Sequence, residues 1–139
     1  MRSWWFAGLM LIAGVVTGVG QSGPASFALA FLPFAVLGVL FSPLAFPRSL
    51  TAAQARRRSA ENGRPVIYWR PGCTYCLRLR LRLGRRAGRA YWVDIWRDPE
   101  AAAAVRAVTG GDETVPTVVL PEGAVVNPDP AWVRDRLPA

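Results

Sequence analysis

Apolar and polar positions split this 139-residue chain into two unlike parts. Between Arg2 and Arg48 no residue is charged, so positions 3 to 47 form a 45-residue, mostly apolar block. Two apolar runs within it, Trp4 to Gly20 and Phe27 to Phe46, flank the polar stretch QSGPAS, whose Gly23-Pro24 reads as a turn. A transmembrane helix needs about 20 apolar residues, so residues 1–47 are expected to form a membrane hairpin with spans near 4–20 and 27–46. Trp4 and Trp5 suit an interfacial anchor, and Pro33 and Pro43 are tolerated in bilayer bundles. Gly14 and Gly18 either let two helices approach closely or reflect the abundance of glycine in membrane helices.

Beyond residue 47 the periods become short. Residues 48–64 are polar, Ala-rich and basic, and read as a linker with helical character ending at Asn62-Gly63. VIYWR, Val66 to Arg70, predicts a buried strand, and AYWVDIW, Ala90 to Trp96, predicts a second. The Leu/Arg alternation from Leu77 to Leu83 imitates a strand. On a helical wheel, however, Arg78, Arg82, Arg85, Arg86 and Arg89 fall within an arc of about 100°. Length also favours a helix here. The five-Arg face reads as a solvated surface or as a contact for anionic lipid or an acidic partner. Asp98-Pro99-Glu100 supplies an N-cap, a proline at N1 and a first-turn acid, and Gly110-Gly111 stops that helix. Thr117–Leu120 and Ala124–Val126 flank a turn as a β-hairpin, and Asp129-Pro130 opens a last helix reaching Leu137. The order β-α-β-α-β-β-α predicts an α/β sheet covered by helices, and residues 65–139 are the expected extent of that domain.

Charge changes the picture in two ways. All seventeen basic residues are Arg, and the absence of His excludes a His general base, a Ser-His-Asp triad and a Cys2His2 zinc site. Twelve of the arginines lie between Arg48 and Arg89, against Glu61 alone. Beside an apolar hairpin such a segment fits the positive-inside pattern better than a nucleic-acid surface, so no nucleic acid partner is expected. Arg48, Arg56, Arg57 and Arg58 follow the second run while the opposite loop is uncharged. This predicts a multi-pass protein of the cell membrane, anchored by its hairpin, with the second domain facing the cytoplasm. A cleaved signal peptide competes for the first run, but its ALA site at 28–30 would lie inside the second.

The chain's only two cysteines stand in RPGCTYC, Arg70 to Cys76, at the junction between the first predicted strand and its helix. The quoted order, with CTYC here and TVPT before the third strand, resembles the glutaredoxin branch of the thioredoxin fold. Nearest in pattern are the actinobacterial mycoredoxins, through Cys73 to Leu79, Val93 to Ile95, Gly110-Gly111, Thr114 to Thr117 and Asn127-Pro128. The resemblance runs from about Pro65 to Leu137 and implies a thiol–disulfide oxidoreductase without a bound cofactor. Its co-substrate would be a low-molecular-weight thiol, and its partners small-thiol mixed disulfides of proteins. Mycothiol is favoured over glutathione, because the Gly-Gly-x-x-Asp common in glutathione users is replaced here by EGAVVNPDP.

Cys73 is the expected nucleophile and Cys76 the resolving thiol; by the same resemblance Thr114, Val115 and Pro116 hold the substrate's cysteinyl portion, and Arg70 and Tyr75 are further candidate substrate contacts. A thiolate is the attacking species, and unpaired N–H groups at a helix N-terminus favour it. Arg70 either adds positive potential or merely ends the strand. From the residues alone Val115 before proline is extended; the resemblance adds that Pro116 is cis. Asp129 is either a substrate contact or an N-cap. Two other functions stay open. An extracytoplasmic thioredoxin-like oxidoreductase would need an odd number of spans. An iron–sulfur or metal module would need a dimer or added thiols, because two cysteines cannot complete a four-ligand site within one chain.

Overall fold

A computed structural model describes residues 5–42 and 45–138. The chain divides into two compact units, residues 1–45 and 46–139.

The first unit is a pair of helices, α1 (Trp5–Val19) and α2 (Pro24–Leu40). They run antiparallel, since Gly18 abuts Phe27, Gly14 abuts Phe31 and Phe34, and Gly38 abuts Ala7. A Cβ on Gly18 would lie 2.6 Å from the Phe27 ring, and one on Gly14 would lie 2.9 Å from Phe31. Of the two readings of Gly14 and Gly18, close helix approach is the one seen.

The two expected membrane spans are corrected here. Among the described residues no helix is long and apolar enough to cross a membrane. At about 1.5 Å per residue, 15 residues reach about 22 Å and 17 about 26 Å, short of a hydrocarbon core of about 30 Å. The first helix stops at Val19, before a turn whose Gly23 has φ 116°. The second passes through Pro33 and ends at Leu40, where the Ser42 Oγ and N–H both donate to the Val39 carbonyl. The membrane anchor, the multi-pass location and the cytoplasm-facing orientation lose the two spanning helices on which they rested. The roles expected of Arg2, Trp4 and Pro43 lie outside the described residues.

The second unit begins with a residue that hydropathy had assigned to the second span. Phe46 is buried, stacked on Trp69 with ring centroids 3.8 Å apart and edge-on to Trp92 at 5.5 Å. Residues 49–50 then follow the outer edge of a strand, Leu50 N–H donating to the Trp92 carbonyl and Asp94 N–H to Ser49 Oγ. An open edge is thereby covered. The stretch read as a basic linker holds α3 (Ala52–Asn62), opened by a Thr51–Gln54 capping box and closed by Gly63 at φ 69°. Its Ala52 and Ala55 are fully buried.

Four strands follow, β1 (Val66–Trp69), β2 (Tyr91–Asp94), β3 (Thr117–Leu120) and β4 (Gly123–Val126). Their spatial order is β2-β1-β3-β4. β1 pairs parallel with β2 and antiparallel with β3, which pairs antiparallel with β4. Interleaved are α4 (Thr74–Leu83), a 3-10 segment (Gly84–Arg89), α5 (Pro99–Thr109) and α6 (Pro130–Arg134). All four β1 residues are buried, so both sheet faces are covered; α3 packs with α5, and α4 with α6. The helix expected over the Leu/Arg stretch therefore ends at Leu83, where Gly84 turns the chain at φ 55°. Arg85, Arg86 and Arg89 leave the wheel they were expected to share with Arg78 and Arg82.

Candidate active site

β1 delivers the chain to the site. After Trp69 the backbone turns through Arg70-Pro71-Gly72, and Gly72 takes φ 77°, a conformation that costs glycine least. The turn places Cys73 as the N-cap of α4, in an extended conformation with φ −87° and ψ 111°. A helix start leaves N–H groups without intrahelical partners. Cys73 Sγ accepts one of them, the Cys76 N–H, at 3.2 Å. One turn inside, Cys76 is fully buried, and both cysteines are free thiols.

The facing wall comes from the loop before β3. The Val115–Pro116 peptide is cis. The Cys73 thiol donates to the Val115 carbonyl at 3.4 Å. Two bonds tie this loop down: Thr117 Oγ1 donates to the Thr114 carbonyl at 2.8 Å, and Asn127 N–H donates to the Pro116 carbonyl at 2.7 Å.

These surroundings divide the two thiols. The Cys73 pKa is lowered from 9.0 to about 7, first by the hydrogen bond from the Cys76 thiol. The Cys76 N–H, the positive charge of Arg70 and the Tyr75 N–H add to this, and partial burial works against it. Burial is the leading cause that pushes Cys76 the other way, to a strongly raised pKa, and the hydrogen bond and charge of Cys73 reinforce it. One sulfur is set to ionise near neutrality and the other to remain a thiol. Arg70 also lies over the Trp96 ring, its guanidinium carbon 5.9 Å from the centroid.

A groove of about 530 Å³ opens in front of Cys73, lined by Arg70, Gly72, Thr74, Tyr75, Thr114 and Val115 together with Asp112 and Glu113. The geometry suits thiol exchange, and known proteins are similar to the chain across this region. A family described as Glutaredoxin matches residues 66–125. A protein of Mycobacterium tuberculosis strain CDC 1551 / Oshkosh named "Putative glutaredoxin" is 39% identical over 73 residues, which are 52% of this chain and 87% of that protein. This chain belongs to the glutaredoxin family. A like-named protein of strain H37Rv matches to the same extent.

As a glutaredoxin the protein is a thiol–disulfide oxidoreductase, and its family uses a small thiol as co-substrate. Five of the seven residues singled out in the sequence, Arg70, Cys73, Tyr75, Thr114 and Val115, share the one groove. Cys76 lies behind it, and Pro116 is buried beside it without lining it.

Sequence reasoning missed part of the surroundings. Asp112 and Glu113 reach the groove because Gly110 and Gly111, both at positive φ, turn the chain back after α5; the paired glycines before two acids were the available signal. A second groove, of about 250 Å³, lies beyond Tyr75 and is lined by Arg78, Leu79, Asn127, Pro128, Asp129 and Pro130. Tyr75 borders both grooves and is 58% exposed. Asp129 is an N-cap, its Oδ1 accepting from the Ala131 N–H at 2.7 Å. Among the described residues no three His, Cys, Asp or Glu side chains are grouped to hold a metal ion.

Proposed function

We propose that this glutaredoxin reduces mixed disulfides between proteins and a low-molecular-weight thiol, with mycothiol favoured over glutathione. Cys73 is the nucleophile and Cys76 the resolving group. Arg70, Tyr75, Thr114 and Val115 hold the substrate in the groove, and Pro116 shapes it from behind through the Val115 backbone. The observation that carries this reading is the placement of Cys73 Sγ at the start of α4, on the Cys76 N–H and lowered to about 7, with a protonated thiol buried behind it.

The Cys73 thiolate attacks the small-thiol sulfur of the mixed disulfide. The S–S bond to the protein breaks, and the protein sulfur leaves as a thiolate that takes a proton from water. Cys73 is then joined to the small thiol. A second small-thiol thiolate attacks that sulfur, giving the small-thiol disulfide and freeing Cys73. One free small thiol is thereby consumed, and one small-thiol disulfide formed, for each mixed disulfide reduced. Alternatively, Cys76 attacks Cys73, expels the small thiol and leaves an internal disulfide. Support for mycothiol is the run EGAVVNPDP, where glutathione users commonly carry Gly-Gly-x-x-Asp.

The test compares Cys73→Ser and Cys76→Ser on a mycothiol mixed disulfide and on its glutathione counterpart. Cys73→Ser should abolish exchange, and Cys76→Ser should retain it on mixed disulfides while losing direct reduction of a protein disulfide. An active Cys73→Ser variant would overturn the mechanism, and faster turnover with glutathione would overturn the choice of thiol.

A further inference from the structure

Beside the second groove lies a smaller recess that the exchange chemistry does not use. It has a volume of about 140 Å³ and is lined by Arg78 and Arg82 of α4, Arg134 of α6, and Asp129, Pro130 and Ala131. All three arginines are exposed residues. Among the described residues of the second unit the ion pairs lie elsewhere, Arg56 with Glu100, Arg57 with Glu61 and Arg106 with Glu113. Asp129 is the recess's one acid, and its Oδ1 already accepts from the Ala131 N–H. Three positive groups thus converge on a concave surface against one carboxylate.

The recess is continuous with the reactive end. Tyr75, Arg78 and Arg82 are spaced three and four apart, which puts them on one face of α4. Tyr75 borders the Cys73 groove, Arg78 lines both the second groove and the recess, and Arg82 lines the recess alone. Along the helix axis Arg78 stands about 7 Å and Arg82 about 13 Å from Cys73. An extended peptide rises about 3.3 Å per residue, so that interval is covered by two to four residues. The Cys73 groove itself is lined by Asp112 and by Glu113, the latter paired with Arg106, so an acid is better held in the recess than in that groove.

We infer that Arg78, Arg82 and Arg134 form a docking recess for the protein half of the substrate, and that it selects an acidic side chain two to four residues from the reacting cysteine. This rests on the exchange reading above and adds to it a class of protein substrate. A nucleic acid is disfavoured by the small recess and by the Asp129 carboxylate beside the arginines, which would face a closely spaced row of phosphates.

The experiment uses the full chain and two peptides, each with one cysteine in a mixed disulfide with 2-mercaptoethanol. One peptide carries Glu at the second to fourth positions on either side, the other Gln. The acidic peptide should turn over about tenfold faster at low salt, and the advantage should collapse at about 0.5 M salt, where screening acts over a few ångströms. Arg82→Glu with Arg134→Glu should remove or invert the preference while leaving turnover of hydroxyethyl disulfide unchanged. A second arm measures binding of a cysteine-free acidic peptide by fluorescence anisotropy, which needs no exchange chemistry. Lost turnover with binding intact would count against the exchange reading. Equal turnover of the two peptides, a preference that survives the double variant, or tighter binding to single-stranded DNA than to the acidic peptide would overturn this inference.

Discussion

Replacing Cys76 by Ala tests how the site activates its nucleophile. The substitution removes the thiol that hydrogen-bonds to Cys73, the leading cause of the lowered Cys73 pKa, and keeps the N–H of residue 76. With a pKa of about 7, half of Cys73 is ionised at pH 7, against about 1% for a thiol at 9.0, a gain of about 50-fold in thiolate. Intrinsic nucleophilicity falls with pKa by a Brønsted factor of about 0.45, which over this interval costs about 8-fold. The net advantage at pH 7 is about 6-fold. Alkylation of the reduced protein by iodoacetamide across pH reports Cys73, because Cys76 is fully buried. The wild-type midpoint should fall near 7. In Cys76→Ala it should rise and remain below 9.0, because the N–H of residue 76, the Tyr75 N–H and the Arg70 charge persist. An unchanged midpoint would show that the Cys76 thiol is not the principal donor, and a wild-type midpoint near 9.0 would refute the activation itself. Linkage supplies a second readout. Cys73 is an acid whose folded pKa is depressed, so its stabilising contribution grows from pH 7 to 9 and is lost as pH falls through 7. Cys76 is an acid whose folded pKa is raised, so above pH 9 the unfolded state loses protons first and stability declines. Denaturant unfolding under reducing conditions should therefore show a maximum near pH 9, and Cys73→Ser should flatten its rising limb.

Two further substitutions test the packing that holds the site. Asp98 accepts from the Glu100 and Ala101 N–H groups at the start of α5 and, across the fold, from the Ala52 N–H at the start of α3. Asp98→Ala removes both attachments and should cost about 2–3 kcal/mol, measured as a lower denaturation midpoint; a loss under about 0.5 kcal/mol would mean that water replaces the carboxylate. Phe46→Ala empties the space against Trp69 and Trp92 and should cost about 3–5 kcal/mol with a change in tryptophan emission; an unaltered protein would return Phe46 to the apolar hairpin.

What the sequence determined by itself is local. The strand VIYW, the Gly72 turn, the helix start at Cys73 and the caps at Asp98, Gly110 and Asp129 are each decided within a few residues, by propensity, positive φ or a side chain bonding to its own helix. Motif order across those elements was enough to indicate the family. Helix length was not legible in the same way. Hydropathy records how much a run prefers an apolar surrounding and is silent on where its backbone bonds stop, so α1 and α2 read as spans although they end at Val19 and Leu40. Nor does hydropathy say which apolar surface a residue will meet, and Phe46 closes on Trp69 and Trp92 instead of ending a span. The site's electrostatics also belong to tertiary structure. Cys73 meets the Val115 carbonyl 42 residues away, the burial that raises Cys76 comes from the packed core, and Arg134 joins Arg82 only because α6 lies against α4. Such terms depend on distances between remote segments, and only the folded chain sets those distances.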